Sequence, residues 1–176
     1  MHVFLQGPRN IGKSTVLCKT LNILSAGEKL VLGGFLTWKD GRKDPHVYMK
    51  PVLSGYEGEI YKIASYDTKI GAMTCDVQVF EQEGVHLLEQ SKHADLIIMD
   101  ELGFLEGKAP GFRNAVLRIL AGDVPVFGVL RLGDIPWFEE IKRNPLVRIY
   151  DVNKKNRDEL PRQLAKEIDG FLANGY

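Results

Sequence analysis

The sequence predicts a three-layer α/β domain: a mostly parallel central sheet, helices on both faces, and a small antiparallel insert. Three observations carry this expectation. Short apolar runs alternate with helix-spaced segments along the whole chain, the pattern of strands buried on both faces. A Gly-rich turn, residues 7–14, joins the first apolar run to the first helical segment. A later apolar run, Leu96-Ile97-Ile98-Met99, ends in two adjacent carboxylates, Asp100 and Glu101.

The elements follow in order. Residues 2–6, with Val3, Phe4 and Leu5, stop at Gly7-Pro8 and read as a buried strand. Residues 13–25 space Val16, Leu17, Leu21 and Leu24 as a helix, with Gly27 as its stop. Residues 30–37 read as a strand interrupted by Gly33-Gly34. Asp40-Gly41 marks a hairpin turn, Val47-Tyr48-Met49 a returning strand and residues 59–64 a further one, so residues 34–64 form the expected insert. Residues 77–91 carry Val79, Phe80, Val85, Leu87 and Leu88 as a helix, and residues 95–99 are a continuous apolar strand. Residues 110–121 form a helix with Pro110 in its first turn, where the missing N–H costs nothing. Residues 124–130 are a buried strand with Pro125 at its start. A short helix (136–142), a strand (146–150) and a last helix (158–173) complete the chain. Nothing in residues 1–176 reads as a repeat, a low-complexity tract or a linker, so one domain is expected.

Charge and composition exclude several functions. Lys+Arg and Asp+Glu both number 23, and a protein that grips a nucleic-acid backbone usually carries a basic excess. The two cysteines, Cys18 and Cys75, fit neither metal spacing nor a disulfide framework, and the four histidines are scattered. No apolar run approaches the ~18 residues of a membrane span. Residues 1–6 lack the basic start and the length of a signal peptide. The expected location is the cytoplasm, with no membrane partner; the sequence names no protein partner.

Residues 7–14, Gly-Pro-Arg-Asn-Ile-Gly-Lys-Ser, fit the phosphate-loop pattern G-x-x-x-x-G-K-[ST] in its required setting, between a strand and a helix. Gly7 and Gly12 permit backbone angles and close approach that a side chain would block. The loop N–H groups and the helix N-terminus then face phosphate oxygens. Gly7, Pro8, Arg9, Asn10, Ile11, Gly12, Lys13, Ser14 and Thr15 are therefore the expected nucleotide contacts, with Lys13 on the outer phosphates and the Ser14 hydroxyl on Mg²⁺.

The acidic pair closes a strand, and ligand sites in open α/β sheets lie at the carboxyl ends of strands. The loop lies at such an end too, so both features converge on one edge. Strand alternation points neighbouring side chains to opposite faces, so the two acids need not share a role. Asp100 suits a Mg²⁺ ligand, and Glu101 a general base that orients the attacking water. Arg131, just after the 124–130 strand, and Arg113, in the helix after the acids, are the candidates for sensing the γ-phosphate. Asn153-Lys154-Lys155-Asn156 is close to a guanine-reading N-K-x-D, but Asn156 replaces the carboxylate that would pair with guanine, so GTP specificity is not expected.

With both motifs placed, the chain resembles the THEP-type nucleoside-triphosphatases, a small family of P-loop NTPases on a RecA-like core. The signals appear in family order: the loop 7–15, Gly33-Gly34-Phe35, Asp100-Glu101-Leu102-Gly103 with Glu106, Phe112-Arg113, residues 124–128, and Asn156-Arg157-Asp158 with Leu160. Two features depart. Arg9-Asn10 stands where the family loop usually carries Pro-Gly, and the region around Lys69-Ile70-Gly71 matches poorly. The resemblance implies Mg²⁺-dependent hydrolysis of the terminal phosphate of several nucleoside triphosphates, with modest base selectivity. Two alternatives share the loop: a kinase that passes the phosphate to a small acceptor, and a nucleotide-binding switch. The lid a kinase uses is represented only by residues 106–113, with Lys108 and Arg113.

Overall fold

The computed structural model describes residues 1–27, 30–52 and 59–173. Eight strands form one sheet in the order β5-β4-β3-β2-β6-β7-β1-β8. They are β1 (His2–Gln6), β2 (Leu32–Lys39), β3 (His46–Pro51), β4 (Tyr61–Asp67), β5 (Ala72–Cys75), β6 (Leu96–Leu102), β7 (Val126–Leu130) and β8 (Val147–Asp151). β2, β6, β7, β1 and β8 pair in parallel, and β3, β4 and β5 add an antiparallel extension to β2. The helices are α1 (Lys13–Leu24), α2 (Val77–Val79), α3 (Val85–Gln90), α4 (Pro110–Leu120), α5 (Phe138–Arg143) and α6 (Leu160–Ala173).

The sheet separates two cores, as strand alternation requires. Phe4, Phe35 and Met99 pack on one face against Leu88 of α3, Phe112 and Val116 of α4, and Phe138 of α5. Val3, Leu5, Ile98 and Phe127 pack on the other against Val16 and Leu17 of α1 and Leu164 and Ile168 of α6. The expected three layers are therefore present. β7 lies between β1 and β6, so the loop after β1 and the acids at the end of β6 flank the end of β7 on one edge.

Several local expectations differ from the structure. Part of the expected insert, residues 53–58, lies outside the described residues. The insert runs further than the sequence suggests, to β5, a strand of 4 residues that is too short to give a periodic signal. The poorly matching Lys69-Ile70-Gly71 stretch falls on the turn between β4 and β5, where Gly71 has φ 65°. Asp40-Gly41 is not a two-residue hairpin turn. The β2–β3 connection is longer and is closed by Asp40, whose Oδ1 accepts from the His46 N–H at 3.0 Å and whose N–H donates to the His46 carbonyl at 3.1 Å. The expected single helix over residues 77–91 is broken by a π-helical turn, Phe80–Gly84, between α2 and α3. The widened turn packs against α4, where a Cβ on Gly84 would lie 2.7 Å from the Phe112 ring.

Gly34 governs how closely β2 approaches β6. Its φ is 89°, and a Cβ there would stand 1.9 Å from the Ile98 carbonyl oxygen. Its N–H donates to Ser91 Oγ at 2.6 Å, and that hydroxyl donates to the Leu87 carbonyl at 2.7 Å, tying the strand to α3. Gly34→Ala should therefore cost at least about 3 kcal/mol of unfolding free energy, whereas an ordinary surface change stays within about 0.5 kcal/mol. Gly41→Ala is the control, because a Cβ there meets nothing within 4 Å. Urea titrations of both variants check the contrast.

Candidate active site

The loop is built by three unusual backbone positions. Gly7 has φ 150°, Asn10 φ 61° and Gly12 φ 108°. At Gly7 a Cβ would lie 2.6 Å from the Val152 carbonyl oxygen, so the loop can leave β1 only beside the end of β8 without a side chain. Asn10 occupies a left-handed position at the place where the resembling family usually carries glycine. Asparagine is among the few residues that tolerate that conformation, so this residue is compatible with the left-handed backbone found there. Arg9, Asn10, Gly12, Lys13, Ser14 and Thr15 line a cavity of about 820 Å³. Gly7, Pro8 and Ile11 shape the loop: the Ile11 N–H donates to the Pro8 carbonyl at 3.3 Å, and Ile11 packs on the α1–α6 core.

Lys13 is buried for a lysine, at 8% exposure. Its Nζ donates to the carbonyls of Gly7 at 3.1 Å and Pro8 at 3.2 Å, and stands 3.9 Å from Glu101 Oε2. Ser14 Oγ donates to Asp100 Oδ1 at 3.2 Å, across 86 residues of sequence. Asp100 is 4% exposed, and its burial raises the carboxyl to about 6, with the Ser14 hydroxyl and the Lys13 charge pulling the other way. Asp100 and Glu101 both line the cavity. Simple alternation would have separated them, but the β6–β7 register shifts between Met99 and Leu102. The Glu101 N–H donates to Thr37 Oγ1 at 3.0 Å, which fixes its backbone to β2.

The two arginines part company. Arg131 lines the cavity, with its guanidinium carbon 4.6 Å from the centre of the Phe104 ring. Its own N–H donates to the Leu102 carbonyl at 2.9 Å, so β7 and the end of β6 hold it together. Arg113 lies in α4, with Nε buried and without a hydrogen-bond partner among the described residues, and is not among the cavity's lining residues.

The sequence motifs assign no site role to Thr37, Phe104 or Trp137, and Glu106 enters them only beside the acidic signal Asp100-Glu101-Leu102-Gly103. Glu106 is 3% exposed and accepts from the Gly103 N–H at 2.8 Å, while Trp137 Nε1 donates to the Gly103 carbonyl at 3.1 Å. Together they fasten the turn after β6 from both sides of one residue. The three-residue spacing from Gly103 to Glu106, just ahead of a helical turn, is the kind of signal that flags a carboxylate reaching back to a backbone N–H. At the other end of the site, Asn156 Oδ1 accepts from the Asn153 N–H at 2.9 Å and its Nδ2 donates to the Asp151 carbonyl at 2.8 Å. Its side chain serves the turn between β8 and α6.

The family model described as NTPase matches residues 2–165. The chain belongs to the NTPase family. It is 33% identical to the nucleoside-triphosphatase THEP1 of Thermofilum pendens, over 96% of each chain. It is 30% identical to that of Methanosarcina barkeri, covering 96% of this chain and 97% of the relative. The crystal structure of THEP1 from Aquifex aeolicus superposes with a TM-score of 0.77 at 25% identity, over 96% of this chain and 99% of that one. The solution structure of a human cancer-related nucleoside triphosphatase shares the fold, with a TM-score of 0.73 at 24% identity. The chain is thus a nucleoside-triphosphatase of the NTPase family, built on the mostly parallel three-layer fold that the alternation of its elements predicts.

Glu106 links the site to pH. Burial raises its carboxyl from 4.5 to about 7. Between those values the folded chain keeps a proton that the unfolded chain releases. Its contribution to stability is therefore full at low pH and is lost as pH rises through that window. Glu106→Gln has no such proton to lose. Relative to the wild-type chain, the variant should gain about 3 kcal/mol between about pH 4 and about pH 8. Urea midpoints at the two ends of the range check the sign.

Proposed function

We propose that this NTPase removes the terminal phosphate of nucleoside triphosphates in a Mg²⁺-dependent reaction, with little selection among bases. One observation carries the reading: Lys13, the Ser14–Asp100 pair and Glu101 meet in a single cavity at the end of the phosphate loop. Ser14 and Asp100 fit Mg²⁺. They offer a hydroxyl and a buried carboxylate, hard oxygen donors, and Mg²⁺ usually takes only one or two protein ligands and completes its shell with water and phosphate. Among the described residues no cluster of three His, Cys, Asp or Glu is placed to hold a metal, and such a site does not need one. When bound, the ion neutralises charge that develops on the phosphate oxygens.

The chain's own groups do the rest. Loop N–H groups and Lys13 Nζ bind the phosphates, Lys13 exchanging its carbonyl partners for phosphate oxygens. The Glu101 carboxylate, on a backbone held by Thr37, orients a water molecule and takes its proton. The water oxygen bonds to the γ-phosphorus as the bond to the β–γ bridging oxygen breaks. Arg131, held against Phe104, supplies positive charge to the γ-phosphate oxygens, and its planar fork can meet two of them at once. Modest base selectivity fits the turn after β8, where Asn156 is committed to backbone partners and Lys154 and Lys155 are exposed.

Lys13→Ala should abolish turnover and weaken triphosphate binding with little loss of fold, measured by phosphate release, nucleotide titration and thermal melts. Glu101→Gln should keep nucleotide and Mg²⁺ binding and lower kcat by roughly 10²–10⁴, the range of a positioned general base. Wild-type turnover in either variant would overturn the corresponding assignment.

Arg131→Ala, assayed at saturating nucleotide and Mg²⁺, should lower kcat by about 10³ or more with nearly unchanged binding, as a finger arginine does. Arg113→Ala should cost less than about tenfold. The reverse ranking would move the finger to α4.

A further inference from the structure

On the hydrolysis reading the phosphates are held by Lys13 and the loop, at the end of the cavity lined by Arg9, Asn10 and Gly12. The cavity continues in the other direction. Past β6 and β2 it reaches the antiparallel strands, where Val47 of β3, Ile63 of β4 and Met73 of β5 form an apolar wall. Leu105 faces this wall from the turn after β6, against which β5 packs. The side chains of Val47, Ile63 and Met73 offer nothing to phosphate oxygens; the charged group beside them is Lys39, which pairs with Val47 across β2 and β3 and lines the same cavity. The whole cavity, about 820 Å³, is in the range that encloses a complete small molecule. Glu101 stands at the border between the two parts, its N–H held by Thr37, which lines the same cavity.

We propose that this apolar end is a second substrate site for a small alcohol with an aromatic or aliphatic body, and that the enzyme can pass the terminal phosphoryl group to its hydroxyl in place of water. The proposal rests on the hydrolysis reading, because it uses the same loop and the same base. The body of the alcohol packs on Val47, Met73 and Leu105, and its hydroxyl lies beside Glu101 on the far side of the γ-phosphorus from the leaving oxygen. The hydroxyl oxygen bonds to phosphorus, the bond to the β–γ bridging oxygen breaks, and the bridging oxygen departs with the diphosphate. The hydroxyl proton passes to the Glu101 carboxylate. The products are a phosphate monoester and a nucleoside diphosphate, with one proton released. Water is the acceptor when no alcohol occupies the wall.

The full chain is incubated with ATP, Mg²⁺ and benzyl alcohol or cyclohexylmethanol, and ADP, free phosphate and phosphate monoester are counted by chromatography and phosphorus NMR. The monoester should appear, and free phosphate should fall short of ADP by the same amount. Glycerol, which has hydroxyls but no apolar body, should leave phosphate equal to ADP. Met73→Asp should reduce ester per ADP by about tenfold or more, by placing a charge on the wall. Because this readout is a ratio within one sample, a general loss of activity does not imitate it. In a chain with isotope-labelled methionine methyl groups, benzyl alcohol added with ADP and Mg²⁺ should move the Met73 resonance. Those of Met49 and Met99, both 0% exposed, should hold still.

If ADP forms, phosphate matches it with both alcohols and the Met73 methyl does not move, the second site is refuted and hydrolysis stands. A Met73 shift without ester refutes transfer, and an ester ratio indifferent to Met73→Asp refutes the wall. If no ADP forms under any condition, the hydrolysis reading falls and this one with it.

Discussion

A carboxylate with 4% exposure at the end of an apolar strand is expensive, and the active edge of this chain is organised around keeping Asp100 there. Leu96, Ile97, Ile98 and Met99 bury β6 on both faces, so Asp100 emerges into a crowded interior rather than into water. The Ser14 hydroxyl gives Asp100 a donor, and the Lys13 ammonium opposes the pull of burial toward the neutral form. Both partners come from the first turn of α1, so the helix has to dock with its N-terminus over the ends of β7 and β1. Val16 and Leu17 secure that docking by packing onto the same core as Leu5 and Val129. The hydrophobic and electrostatic arguments thus impose one position on the loop.

Much of this was legible in the sequence. Buried parallel strands write themselves as unbroken apolar runs, and the phosphate loop is a local motif whose every position has a backbone reason. The layers, the sheet edge, the loop and the acidic pair followed from those signals. Features set by long-range contacts were not legible. The register shift that brings Asp100 and Glu101 into one cavity depends on how β6 meets β7. The choice between Arg113 and Arg131 as cavity residues depends on which element borders the cavity, since both side chains look alike in sequence. The π turn at residues 80–84 keeps a helical pattern of apolar residues, so periodicity alone reads through it.

The turn after β6 shows how a polar core can brace a cavity. Gly103 is held through both of its peptide groups, by Glu106 on the N–H and by Trp137 on the carbonyl. Phe104, 45% exposed, follows at once and carries Arg131 on its ring. A buried carboxylate and an indole N–H therefore set the position of an exposed aromatic ring, and through it a guanidinium. Phe104 and Leu132 are exposed apolar side chains that border the cavity, and their exposure has a clear reason: they form its rim.

The chain contains two tryptophans, and they inhabit opposite environments. Trp38 is 37% exposed at the cavity, stacked on Tyr48 with ring centres 5.5 Å apart. Trp137 is 5% exposed, packed edge-on against Phe138 and bonded to the Gly103 carbonyl. The molecule's intrinsic fluorescence therefore has two separable voices. The red-edge emission, from Trp38 in contact with solvent, reports what enters the mouth of the cavity. The blue-edge emission, from Trp137 in the core, reports whether the turn behind the acids is intact.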